Sequence, residues 1–151
     1  MQRLEIPQHY FEKLPKKRLP SLNEVIAMHY RTYTKVKREV YRVICALARR
    51  KLKPVTVYPV RISFHWFVAN RRSDPDNISA AGRKLILDSL QKAEILTNDG
   101  WHQFISSQDE SMPFRDYYTL DKKNPRIIVE IESLEDENNA EQQSFPWFPS
   151  P

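Results

Sequence analysis

Two aspartates separated by one proline, in Asp74-Pro75-Asp76-Asn77, are the residues of this chain best suited to do chemistry. Acids spaced this way aim their side chains at one point if the backbone turns there, and Pro75 stiffens such a turn. Hard oxygen donors of this kind suit Mg²⁺ or Mn²⁺, which take one or two carboxylates, several waters and a substrate phosphate. Arg71 and Arg72 precede the pair and would hold a phosphodiester against such an ion. A calcium loop starting at Asp74 fails, because its fifth position is Ile78 and its sixth is Ser79 where glycine is required. Each acid also has a plain structural role. Asp76 or Asn77 suits the N-cap of a following helix, and Asp-Pro is ordinary turn chemistry. Asp99 sits in the turn sequence Asn98-Asp99-Gly100. Asp88 lies four residues from both Lys84 and Lys92, the spacing of solvated ion pairs on a helix.

These residues lie where one hydrophobic period gives way to another. Over 55–69 the pattern alternates, with Val60, Ile62, Phe64, Trp66 and Val68 against Arg61, Ser63, His65, Phe67 and Ala69, which predicts a strand packed mainly on one face. From about 77 to 93 the period becomes helical: Ile78, Ala81, Gly82, Leu85, Ile86, Leu90 and Ala93 share one arc. Lys84 and Asp88 lie just beyond that arc, and Leu87 falls on the far side, either exposed or covered by a partner. A further helix is predicted from Lys35 to about Lys51, with Val36, Val40, Val43, Ile44 and Leu47 inward and Pro54 ending it. Residues 1–34 read as one or two short strands and a loop, LPSLNE. Beyond the turn TNDG come a short strand near 101–106, an excursion rich in charge and proline, and a last strand over 126–134. The expectation is a mixed α/β domain over 1–134, a small mixed sheet packed by two main helices, followed by an acidic, Pro-aromatic tail over 135–151 that is disordered at least in part.

A chain of 151 residues makes one ordinary domain. Its net charge of +5 hides a split: residues 1–72 carry 17 Lys and Arg against 4 acids, and the remainder carries 7 against 15. A basic half of this strength points to a polyanion, because neutralising phosphates releases counterions. The competing explanation is a charged surface that maintains solubility. Lys16, Lys17 and Arg18, with Lys35, Lys37 and Arg38 of the first helix, are the surfaces expected to contact a nucleic-acid backbone. Tyr30, Tyr33 and Phe67 are candidates to stack on an unpaired base, with core packing as the alternative. The two glycines, Gly82 and Gly100, exclude a Gly-rich phosphate cradle, so no nucleotide cofactor is expected. A single cysteine, Cys45, excludes an internal disulfide and reads as a small helix-core hydrophobe. No apolar run is long enough for a membrane span, and the N-terminus lacks a signal-peptide pattern, which predicts a soluble cytoplasmic protein without membrane partners.

Taken together, residues 68–105 resemble the RusA family of Holliday junction resolvases, found in phages and prophages. The resemblance rests on a strand ending in Arg71 and Arg72, then Asp74, Asp76 and Asn77, then Lys84, Leu87-Asp88-Ser89-Leu90 and Asn98-Asp99, in that order. It covers about forty of the 151 residues. In the best-known branch a lysine follows the second aspartate by four residues, where this chain has Ala80; here Lys84 follows by eight and keeps its four-residue spacing to Asp88. The resemblance implies a compact α/β homodimer that cleaves four-way DNA junctions by paired nicks with Mg²⁺, or Mn²⁺ in its place, in a bacterial or phage-infected cell. It further implies that Asp74, Asp76 and Asp99 ligate the metal, that Lys84 acts with them, and that Asp88 and Asn77 support from behind. Two other readings remain: a non-catalytic basic DNA-binding module, and a metal-dependent nuclease for other branched DNA or structured RNA.

Overall fold

The fold was taken from a computed structural model that describes residues 1–97 and 114–133. Its elements run β1 (Gln2–Pro7), a 3₁₀ turn (Gln8–Phe11), α1 (Leu22–Ala27), α2 (Tyr30–Lys51), β2 (Val60–Val68), α3 (Pro75–Lys92), β3 (Phe114–Leu120) and β4 (Arg126–Ser133). The strands form one mixed sheet in the order β1-β4-β2-β3, with β2 and β3 parallel and the other pairs antiparallel. This is the mixed α/β architecture expected from the alternation of periods. The expected strand near 101–106 and the tail over 135–151 lie outside the described residues.

The sheet places its apolar rows against the helices. Leu4 pairs with Val129, which faces Phe64, and Ile6 pairs with Ile127, which faces Trp66. Leu4, Ile6, Phe64 and Val129 are fully buried, together with Val40 and Ile44 of α2 and Leu85, Ile86 and Leu90 of α3. Cys45 is buried as a core residue, and its thiol donates to the Ser89 carbonyl at 3.3 Å. The core side of α3 meets β2 at one tight place. A Cβ added at Gly82 would stand 2.8 and 2.9 Å from two ring carbons of Trp66. Only glycine allows the helix to approach that indole so closely.

Several elements differ from the sequence expectation, each for a local reason. α2 begins at Tyr30 instead of Lys35, because the His29 ring nitrogen accepts the Arg31 N–H at 3.2 Å and caps an extra turn. The loop LPSLNE contains a helix start: Ser21 and Glu24 form a reciprocal capping box, at 3.3 Å and 2.9 Å, that opens α1. β2 is shorter than 55–69 and begins at Val60. Leu87 is neither exposed nor waiting for a partner; it is 5% exposed within the hydrophobic core. β3 falls in the segment read as an excursion, and it is a strand because Phe114, Asp116, Tyr118 and Leu120 register against Ile62, Phe64, Trp66 and Val68.

α3 ends in a paired hydrogen-bond motif. Glu94 N–H donates to the Gln91 carbonyl and Ile95 N–H to the Leu90 carbonyl, both at 2.9 Å, with Glu94 at φ 61°. A side chain in that left-handed region is unfavourable relative to glycine. Glu94→Gly is therefore expected to stabilise the fold by about 1 kcal/mol. Gly82→Ala is expected to destabilise it by about 1–2 kcal/mol, since overpacking against the rigid, buried Trp66 exceeds the gain in helix propensity. Urea denaturation of both variants beside wild type checks the two signs.

Candidate functional site

α3 starts where β2 leaves the sheet, and this turn carries the paired aspartates. Asp74 takes the cap position in extended conformation, and its carbonyl accepts from Asn77 N–H at 3.0 Å and Ile78 N–H at 3.1 Å. Pro75 then fills the first helical position, which needs no N–H and suits the fixed φ of proline. The cap is thus Asp74, not Asp76 or Asn77 as expected, and the Asp74 side chain makes no capping hydrogen bond. Both Asp74 and Asp76 are exposed. The positive end of the helix dipole favours two carboxylates there.

Asn77 faces another way. Its Oδ1 accepts from Asn23 N–H at 2.9 Å and so joins the start of α3 to the first turn of α1. Arg71 and Arg72 are exposed in the turn before Asp74, and Arg72 N–H donates to Asn70 Oδ1 at 3.0 Å. Lys84 stands two turns on, about 12 Å along the axis from Asp76. The expected pairing with Asp88 is present, Lys84 Nζ to Oδ1 at 3.1 Å. The Tyr41 hydroxyl of α2 donates to the other Asp88 oxygen at 3.5 Å. Burial, aided by the Asp88 charge, pushes the Tyr41 phenol up to about 12. Asp99 lies outside the described residues.

The donor chemistry of Asp74 and Asp76 fits an Mg²⁺-type ion, which commonly uses one or two protein carboxylates and retains waters. Among the described residues no group of three or more His, Cys, Asp and Glu side chains is placed to hold a metal ion. Among the described residues, the histidines lie elsewhere. His65 lies 3.3 Å from Glu130 and stacks on Tyr117, while His9 and His29 are exposed.

Behind the aspartates lies a cluster that the sequence did not reveal. Asp116 of β3 accepts from Trp66 Nε1 at 2.9 Å, and its second oxygen pairs with Arg83 of α3. The Arg83 guanidinium also sits over the Phe114 ring, 5.2 Å from its centre. Burial raises the phenol of Tyr118, two residues on; Ser79 and the Arg83 charge lower it, the Asp116 and Asp76 charges raise it, and the net shift is upward. The alternation in Phe114-Arg-Asp-Tyr-Tyr-Thr-Leu120 was the signal that could have placed Asp116 and Tyr118 beside α3.

The basic residues divide into two groups. Lys35 and Arg38 are exposed on α2, and Lys37 lies 5.0 Å from the centre of the Tyr33 ring. Tyr30 is exposed, whereas Phe67 is covered by Arg126, 3.8 Å from its ring centre. Lys17 is exposed with φ 56°. Lys16 and Arg18, by contrast, both reach Glu24 at 2.7 Å, and Arg18 adds a second contact at 3.3 Å. These side chains border a cleft of about 710 Å³ at the C-terminal end of β2, between α1, the start of α3 and the start of β4.

No protein-family model matches this chain, and no curated protein matches it. No helix among the described residues is long and apolar enough to cross a membrane.

Glu24 gives the site a pH dependence. Burial alone would raise its carboxyl, but Arg18, Lys16 and the Ser21 cap outweigh that and hold it at about 2, below the ordinary 4.5. A depressed folded-state pKa contributes stability that is complete above 4.5 and lost as pH falls towards 2. The stability difference between wild type and Glu24→Gln should be largest at neutral pH and shrink steadily below pH 4.5. Urea midpoints of both proteins across that range would show it; a difference independent of pH would rule the ion pairs out as its source.

Proposed function

We propose that the chain is a divalent-metal-dependent endonuclease acting on branched DNA, as in the resolvases it resembles at residues 68–105. The observation that carries the reading is the turn at the end of β2. Asp74 holds the cap position through its backbone alone, so both its carboxylate and that of Asp76 stay exposed, beside Arg71 and Arg72. A caps-only explanation of these acids predicts a capping side chain, and Asp74 makes no such bond.

Asp74 and Asp76 would hold the ion, with Asp99 as the third ligand that the resemblance implies. When bound, Mg²⁺ or Mn²⁺ supplies Lewis acidity at a phosphate and a water acidic enough to attack at neutral pH. Arg71 and Arg72 neutralise the phosphates on either side of the scissile one and fix the register of the strand. Lys84, positioned by Asp88, offers a cation further along α3 to a phosphoryl oxygen of the same strand. The exposed Lys35 and Arg38 extend the cationic surface to an adjoining arm. Contacts of this kind read backbone placement and branch shape, not base identity. A homodimer would supply two such sites to a junction of approximate two-fold symmetry.

The test is a labelled four-way junction beside a linear duplex of the same sequence, in Mg²⁺ and in EDTA. Wild type should introduce paired nicks near the branch only with the metal. Asp76→Asn should cut at least roughly a hundredfold more slowly while still binding the junction. Wild type that binds the junction equally well in both solutions and never cuts it would leave a DNA-binding module, with Asp74 and Asp76 as turn residues.

A further inference from the structure

The cleft at the end of β2 differs in kind from the carboxylate turn beside it. Its volume of about 710 Å³ is that of a pocket for one small organic ligand, well beyond the size of a lone phosphate ion. Its reachable apolar lining is Leu19, Val68, Ile78 and Ile127, each half-buried, whereas Ile6, Phe11 and Trp66 belong to the core beneath. Its cations are Lys16, Arg18, Arg72 and Arg126; Lys16 and Arg18 contact the lining acid Glu24, and Arg126 pairs with Asp121 and Glu5 outside it. Glu24 is ionised at neutral pH and still leaves a net positive lining. The amides of Asn70 and Asn77 add hydrogen-bonding groups. An apolar floor, amide groups and an excess of cations together match a ligand with a flat, hydrogen-bonding, largely apolar body and an anionic end.

The position of the cleft selects among such ligands. Arg72 and Ser73 line it on one side of the Asp74–Asp76 turn, and Asn77 and Ile78 line it on the other. A strand with a phosphate at the two aspartates therefore presents an adjacent nucleotide at the mouth. A base pair does not fit a pocket sized for one small molecule, so the nucleotide must enter unpaired.

We infer that this cleft holds a single unpaired nucleotide, its base against Leu19, Ile78 and Ile127 and its phosphate among Arg72, Lys16 and Arg18. The inference rests on the nucleic-acid reading above for its class of ligand. Unpairing one nucleotide costs a few kcal/mol in a continuous duplex and least where pairing is already disturbed. A pocket of this kind therefore favours branched or single-stranded substrates over linear duplex without reading their sequence.

The experiment uses the full chain in EDTA, so that no cleavage occurs. The methyl groups of Ile78 and Ile127 and the side-chain amides of Asn70 and Asn77 are followed by NMR during titration with dAMP, dCMP, deoxyribose 5-phosphate and inorganic phosphate. Both nucleotides should move these resonances to saturation, and should bind roughly tenfold or more tightly than the sugar phosphate, the value of one bound base. Ala69→Trp, which puts an indole into the cleft from its lining, should abolish those shifts; the comparison of ligands on wild type stands even if this variant fails to fold. Equal binding of nucleotide, sugar phosphate and phosphate, or no shift at these residues, would overturn the inference. A chain that cuts junctions while these resonances stay still overturns the cleft alone. A chain that binds nucleotides here yet never cuts keeps the cleft and overturns the endonuclease.

Discussion

The approach of α3 to β2 at Gly82 and Trp66 governs the rest of this structure. With a side chain at 82 the helix would have to lift off the sheet, since a Cβ there would meet the indole at 2.8 Å. The indole is itself fixed, because its N–H donates to Asp116 and Asp116 pairs with Arg83, the residue after Gly82. One helix and two strands are thus locked by a glycine, an indole, a carboxylate and a guanidinium. Asp116 and Arg83 are half-buried, and their pairing, with the indole N–H on the other Asp116 oxygen, offsets part of the cost of taking both charges out of water. The start of α3, and with it the direction in which Asp74 and Asp76 point, follows from this lock.

The opposite rim of the cleft is organised by Glu24. One carboxylate opens α1 through its capping box and gathers Lys16 and Arg18 from the preceding loop. Without it, two cations would repel each other at the mouth of a cleft that already includes Arg72 and Arg126. α1 is then held to α3 by the hydrogen bond from Asn23 N–H to Asn77. A short helix of six residues has little stability of its own, so these polar ties place it.

Much of the architecture was legible in the chain. The change from period two to period 3.6 at the Asp-Pro-Asp turn located β2 and α3, and the buried faces of both helices agree with it. A helical wheel assumes one packed face and so places Leu87 outside, whereas α3 packs against both α2 and α1 and also meets β2 at Gly82. β3 was missed because an edge strand keeps little burial, and its acid and arginine resembled a loop. α1 was missed although the Ser-x-x-Glu signature was present, since Pro20 and the basic run before it suggested a loop.

By itself the sequence determined the residue chemistry at the turn, the mixed α/β class, the two main helices and the basic first half. These are local matters, decided by residue type, spacing and period. The tertiary structure alone decided that Asp74 and not Asp76 caps α3, that Asn77 ties two helices, that Asp116 and Arg83 meet behind the turn, and that cations from three separate segments share one cleft. Those facts depend on which segments the parallel pairing of β2 and β3 and the Gly82–Trp66 contact bring side by side. Residues far apart in the chain meet only when burial of a common core draws them together, and no local pattern records that meeting.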